Sequence, residues 1–133
     1  VVYRLMQASH RCHLSPLVML FNKINTVFGK CIIGRGAEFG PGFVLVHSYG
    51  VVINGSVRGG TGVMLEHLVT IGAAHRESPT LGNDVFIGAG AKIVGPVTIG
   101  NNVKIGANAV VTKSIPDNTT AVGIPAEPVE RGE

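Results

Sequence analysis

The stretch LGNDVFIGAGAKIVGPVTIGNNVKIGANAVV, Leu81 to Val111, sets an aliphatic residue at every sixth position: Leu81, Ile87, Ile93, Ile99, Ile105 and Val111. Glycine follows directly at Gly82, Gly88, Gly100 and Gly106. Neither the helical period nor a simple strand alternation produces this spacing. A short fixed period signals a solenoid, and hexapeptides are the signature of a parallel β-helix. Each hexapeptide supplies one short strand and one turn, and three close a triangular coil. The aliphatic side chain points inward, and glycine permits the tight corner.

The pattern extends upstream with Ile33-Gly34, Phe39-Gly40 and Ile71-Gly72, and Leu45 and Leu65 fill gaps. Its phase breaks twice. Positions 33, 39, 45 and 51 share one phase, and Ile53, Leu65 and Ile71 share another, shifted by two residues. From Ile71 to Leu81 the step is ten rather than six. Two residues are therefore inserted near Val51–Ile53, and four within AAHRESPT, Ala73–Thr80. The second insertion is expected to bulge as a loop carrying His75, and such excursions often lie on a solenoid's binding face.

The flanks read differently. SPLVMLFNKINTVFG, starting at Ser15, predicts a helix with Ser15 as N-cap, Pro16 in the first turn and Gly29 as the stop. Leu17, Leu20, Phe21, Ile24, Val27 and Phe28 form its apolar face. Residues 1–12 are expected to form an earlier helix. SIPDNTTAVGIPAEPVERGE, from Ser114, loses the repeat and should return as a strand or tail that caps the open end. The organisation expected is a helical segment at 1–29, a β-helix domain at 30–116 and a capping tail at 117–133.

Composition agrees with a solenoid. Aromatics are 5% and charged residues 14% of 133 residues, with 19 glycines, so small and β-branched residues must make the core. The net charge of +3 is spread without a basic stripe, which argues against nucleic acid. Cys12 and Cys31 give neither a disulfide framework nor a CxxC pair. The longest apolar run near the N-terminus, LVMLF, is too short to span a bilayer. No signal-peptide pattern is visible, and the cytoplasm is the expected compartment.

Stacking the coils with both insertions counted predicts one column of residues: His47, His67, Ala89 and Ala107. Two imidazoles precede two methyl-sized side chains. The pattern suits an active-site end followed by a shallow groove in which a linear ligand touches backbone. It equally suits small residues that merely serve tight turns.

The repeat, the loop before SPTLGNDVFIGAGAKIVGPVTIG, the stretch NNVKIGANAVVTKSIPDNTTAVGIPAEPV, and VHSYGVVIN upstream together resemble the serine O-acetyltransferase group of hexapeptide-repeat acyltransferases. The resemblance covers roughly residues 30 to 129. IGAGAKIVG and GIPA mark the superfamily, whereas HxxGxVIN at His47 points to the serine-acetyltransferase-like branch, including members linked to surface polysaccharide.

This resemblance implies an all-β, single-stranded left-handed parallel β-helix with an N-terminal helical segment. The hand comes from the resemblance alone, since parallel crossovers are otherwise overwhelmingly right-handed. It also implies a homotrimer with sites between subunits, acetyl-CoA as donor and no metal. His47 takes the place of the general base. Imidazole titrates near pH 6.5, so it can accept a hydroxyl proton and return it to the departing thiolate. His67 and His75 are further catalytic candidates. The pantetheine arm is expected along Gly72, Ala73, Ala89 and Ala107, with Lys104 and Lys113 near the phosphates. Arg76, in the loop, is placed to cover the acceptor.

The departures leave the acetyl-transfer half better preserved than the serine-recognition half. Val46 stands where the family carries an aspartate directly before the histidine, Ile32 where it carries the aspartate that pairs with the base, and Ser78 rather than histidine precedes Pro79. His67 replaces an aligned glutamine. Glu66 and Glu38 are candidate carboxylate partners for a histidine. The ending PVERGE lacks the terminal isoleucine by which some relatives dock onto cysteine synthase. A sugar O-acetyltransferase of polysaccharide biosynthesis and an inactive β-helix scaffold therefore remain alternatives. So does a zinc enzyme like the gamma-class carbonic anhydrases, which His47, His67 and His75 suggest, although the usual closely spaced histidine pair is absent.

Overall fold

The computed structural model describes residues 1–129; the reading of the extreme C-terminal residues lies outside them. Two helices, α1 (Val2–Arg11) and α2 (Ser15–Phe28), precede a coil of very short strands. The strands form three parallel faces. Face one stacks Ile32–Ile33, Val52–Ile53, Thr70–Gly72, Lys92–Val94 and Val110–Val111. Face two stacks Glu38–Phe39, Arg58–Gly59, Thr80–Leu81 and Thr98–Ile99. Face three stacks Val44–Leu45, Met64–Leu65, Phe86–Ile87, Lys104–Ile105 and Thr120–Val122.

The register carries both insertions. Ile33 pairs with Ile53, which pairs with Ile71, which pairs with Ile93. On face three Leu45 pairs with Leu65, and Leu65 with Ile87. The extra residues are confined to corners, so the ladder continues without a bulge. Coil-to-coil bonds such as Ile32 N–H to the Val51 carbonyl (2.8 Å) and Gly88 N–H to the Ile105 carbonyl (2.8 Å) hold the stack.

The core is the column of inward side chains. Ile33, Ile53, Ile71, Ile87, Ile93, Ile99, Ile105 and Val111 are fully or almost fully buried. Each contributes roughly 1.5–3 kcal/mol by leaving water. Face two departs from the aliphatic rule, with Phe39 directly over Gly59. A Cβ on Gly59 would collide with the Phe39 ring, so the ring occupies the volume its neighbour lacks.

Both ends of the solenoid are covered. Phe39 and Phe43 stack with centroids 4.1 Å apart, and Tyr3 meets Phe43 edge-on at 5.3 Å. The Tyr3 hydroxyl donates to the Ala37 carbonyl (2.9 Å), and Arg4 donates to the carbonyls of Phe39 (3.0 Å) and Gly40 (2.6 Å). These bonds pin α1 to the first coil. At the other end, Glu127–Val129 returns antiparallel on Thr120–Val122 and occupies the free edge.

Two expectations for α2 are corrected. Ser15 is the first helical residue rather than the cap, and Leu14 at the N-cap makes no side-chain capping bond. The face from Leu17 to Phe28 is only partly buried: Phe21 packs against the core and Ile24 is half-buried, Leu17, Leu20, Val27 and Phe28 are exposed, and the fully buried residues are Val18 and Asn25. The helix packs chiefly on α1 and on the start of the coil. Those partners meet Val18 and Asn25.

Candidate active site

Three corners join the faces, and the site candidates divide among them. The corner between faces three and one carries His47, His67, Ala89 and Ala107, each two residues beyond a paired strand residue: Leu45, Leu65, Ile87 and Ile105. The His47 and His67 rings meet edge to face with centroids 6.0 Å apart. Above them the Gly90 N–H bonds the His67 carbonyl (3.0 Å), and the Asn108 N–H bonds the Ala89 carbonyl (2.8 Å). The column is continuous backbone, with nothing larger than a methyl group beyond His67.

Glu66 belongs to this corner and Glu38 does not. Glu66 Oε2 lies 3.8 Å from His67 Nδ1. Glu38 sits on face two and faces Arg58, with its Oε2 3.9 Å from Nε. Val46 and Ile32, the replacements for the expected aspartates, are exposed apolar side chains, Val46 directly before His47 and Ile32 on face one opposite Val52. Tyr49 and Leu68 continue this apolar surface, joined by the Leu68 N–H to the Tyr49 carbonyl (2.9 Å).

The corner between faces one and two carries the inserted loop. Ala74 and Glu77 exchange both backbone bonds, at 2.9 and 3.0 Å, which closes a two-residue hairpin. Its tip residues, His75 and Arg76, both adopt positive φ, 51° and 68°. That is the pattern of a type I′ turn, which favours Asn and Gly. Both side chains are exposed. Ser78 anchors the base of the loop: its Oγ lies 2.7 Å from Ser56 Oγ and 3.2 Å from Asn54 Oδ1.

Within one chain, therefore, His75 is separated from His47 and His67 by the width of face one. Gly72 ends its strand on face one, and Ala73 leads into the loop. These two lie at the loop corner, not with Ala89 and Ala107. Lys104 is exposed on face three, just before Ala107, and Lys113 is exposed just beyond Val110–Val111. Among the described residues no group of three or more His, Cys, Asp or Glu side chains comes together as a metal site. No helix among them is long and apolar enough to cross a membrane.

Sequence reading passed over two residues. Lys92 Nζ donates to the Leu68 carbonyl (2.6 Å) and ties face one to the histidine corner. Its register beside Thr70 was the available signal. Ser48 and Leu45 line a cleft of about 530 Å³ between the helices and the first coil, together with Tyr3, Ile24, Asn25 and Phe43. Nothing in the hexapeptide pattern specifies how the helices leave that space.

The third corner is structural. Asn83 Oδ1 accepts from the Thr61 N–H (2.9 Å), Asn101 Oδ1 from the Asn83 N–H (2.8 Å), and Asp117 Oδ1 from the Asn101 N–H (2.7 Å). This side-chain ladder satisfies backbone donors that the turns leave free.

Comparisons with known proteins agree with this geometry. The family described as bacterial transferase hexapeptide (six repeats) matches residues 78–113. A serine acetyltransferase of Helicobacter pylori is 36% identical over 133 residues, covering 97% of this chain and 78% of the relative. A putative colanic acid biosynthesis acetyltransferase of Escherichia coli K12 is 38% identical over 125 residues, covering 92% and 77%. The solved Brucella abortus serine acetyltransferase in complex with coenzyme A superposes with a TM-score of 0.91 at 30% identity, covering 96% of this chain and 53% of that one. The chain thus spans about half the length of the solved structures it matches. A coil of opposite hand could not superpose so closely. The hand is that of those structures, in keeping with the left-handed coil the resemblance implies.

Proposed function

The chain belongs to the serine acetyltransferase family of hexapeptide-repeat transferases, and from that premise we propose that it moves an acetyl group from acetyl-CoA to the hydroxyl of a small acceptor, L-serine or a serine-like alcohol, with His47 as general base. The observation that carries this reading is the edge-to-face pair of His47 and His67 at the head of a column that narrows to Ala89 and Ala107. An alcohol is a weak nucleophile, and an imidazole beside it removes the proton as the C–O bond forms. The small residues let an extended pantetheine arm reach backbone amides.

A homotrimer with sites between subunits fits the outer surface. Face two is polar, with Glu38, Arg58, Thr80 and Thr98 outward. Around the histidine corner Ile32, Val52, Val44, Met64, Val46, Tyr49 and Leu68 project apolar surface. In such an assembly the histidine corner of one chain meets the loop corner of the next. That brings Gly72, Ala73, His75 and Arg76 of a neighbour beside Ala89 and Ala107. Lys104 then flanks the groove where the CoA phosphates emerge, with Lys113 farther off. The cytoplasm, where acetyl-CoA is made, is the compartment that suits the reaction.

A second reading, acetylation of a sugar hydroxyl, is favoured by Val46 and Ile32. Val46 replaces the aspartate directly before the base and Ile32 the one that would pair with it, which leaves the serine-recognition half of the site the less preserved. The E. coli relative, whose name places it in colanic acid biosynthesis, is similar in sequence over most of this chain. An acetyl-CoA consumption assay against L-serine, other small alcohols and nucleotide sugars separates the two. Turnover with serine supports the first, turnover with a sugar alone supports the second, and no turnover with any of them favours an inactive scaffold.

A further inference from the structure

We infer that His67 is a second catalytic residue, the general acid that protonates the departing thiolate, and that Glu66 is its positioning residue. This rests on the acetyl-transfer reading above and adds a role that His47 alone does not fill.

The order of the column sets the roles. A donor laid along Ala107 and Ala89 meets His67 before His47. Its sulfur therefore lies nearer His67, and its acyl carbon lies between the two rings. The acceptor hydroxyl approaches from the His47 end. Leaving group, carbonyl and nucleophile then follow the same line as acid, gap and base. Adjacent coils are about 4.8 Å apart, so two imidazoles one coil apart can flank a single tetrahedral carbon.

The surroundings of His67 suit an acid. Glu66 Oε2, 3.8 Å from Nδ1, orients the ring and leaves Nε2 for the reactants. The His67 side chain is 44% exposed and that of Glu66 23%, so the ring is reachable while the carboxylate is set into the corner. Other titratable groups here are His47 below, Tyr49 with the Lys30 ammonium 5.8 Å from its ring centroid, and Lys92 from face one, whose ammonium is engaged by the Leu68 carbonyl (2.6 Å). Among the described residues no carboxylate pairs with His47, and Val46 and Ile32 stand where the family carries aspartates. The two imidazoles are thus dissimilar, one beside a carboxylate and one without such a partner among the described residues.

The step balances. His47 takes the hydroxyl proton as the new C–O bond forms. The C–S bond breaks, and the electron pair stays on sulfur, which receives the His67 proton. The products are the acetyl ester and the free thiol. His47 ends protonated and His67 neutral, and proton exchange through water between the neighbouring rings restores the starting state.

The test compares two thioesters, using the full chain and whichever of L-serine or a nucleotide sugar it acetylates. Acetyl-CoA has a leaving thiolate that gains from protonation. S-acetyl-thionitrobenzoate releases a thiolate too weakly basic to need it. His67→Gln is expected to lower kcat about 10²-fold with acetyl-CoA, the low end for acid–base catalysis because a thiolate is only a moderate base. With the aryl thioester the loss should stay under about threefold. Glu66→Gln should follow the same split with a smaller loss, and added imidazole should partly restore a His67→Gly variant. Equal losses on both donors, or no loss on either, overturn the acid role. Failure of the unsubstituted protein to turn over acetyl-CoA takes down the acetyl-transfer reading and this inference together. Turnover that His47→Ala abolishes, with equal losses at His67, takes down this inference alone.

Discussion

The rings of His47 and His67, one coil apart, meet edge to face with centroids 6.0 Å apart because each stands two residues beyond a leucine of the Leu45–Leu65 pair. The two extra residues lie at the corner after Leu45, so this coil takes twenty residues from Leu45 to Leu65 while the pairing that aligns the histidines is kept.

Replacing the first ring should separate chemistry from folding. His47→Ala is expected to reduce kcat by about 10²–10⁴-fold, the range for a lost general base. Its side chain is exposed, so the thermal midpoint should move by no more than about 1–2 °C, as for a surface substitution. Acetyl-CoA turnover and a melting curve on the same preparation check this.

Ala89 lies in register above His67 on the donor path. Ala89→Trp should obstruct the column and weaken CoA binding by at least about tenfold, near 1.4 kcal/mol. Its side chain faces out of the coil, so folding should survive. An unchanged calorimetric titration with CoA would argue against this path.

Phe39 and Gly59 share one volume. Gly59→Val should destabilise the coil by about 1–3 kcal/mol through overpacking. Phe39→Leu in the same chain should recover part of that loss, although alone it is destabilising. Urea midpoints of the two single variants and the double variant would show the coupling.

The loop tip holds two non-glycine residues at positive φ. Changing His75→Asn and Arg76→Gly together should stabilise the chain by about 1 kcal/mol, since those residues suit the I′ turn. If the loop covers a neighbouring site, activity should fall while the melting temperature rises.

Alkaline pH should loosen the N-terminal end. Burial pushes the Cys31 thiol above its ordinary value of 9.0 and the Tyr3 phenol above 10.0. Both groups hold their protons more tightly folded than unfolded. As pH rises past 9.0 and then 10.0, the unfolded chain sheds these protons first, and stability falls. Tyr3→Phe should flatten the upper part of that decline. At neutral pH it should cost about 1 kcal/mol for the bond to the Ala37 carbonyl. The exposed Cys12 should react with a thiol reagent well before Cys31 does.

The register was legible because the aliphatic phase counts residues per coil directly. Both insertions, and hence the histidine column, follow from that count. Gly72 and Ala73 fall at another corner for the same reason: they follow Ile71 on face one, whereas Ala89 and Ala107 follow face three. The face of α2 was not legible. Periodicity identifies Leu17, Leu20 and Phe28 as an apolar stripe, but which side meets α1 depends on the packing of the helix pair. Glu66 was visible as a residue but not as a partner, since sequence does not orient a carboxylate toward one ring rather than another.

The corner ladder from Thr61 through Asn83 and Asn101 to Asp117 has a further consequence. It fixes the rise from coil to coil, so the distance from His67 to the capping strand is a whole number of steps of about 4.8 Å. The solenoid is thereby a ruler for the donor. Inserting or removing one complete coil above Ala89 would lengthen or shorten the groove by one graduation against an arm of fixed length, while the two imidazoles stay where they are.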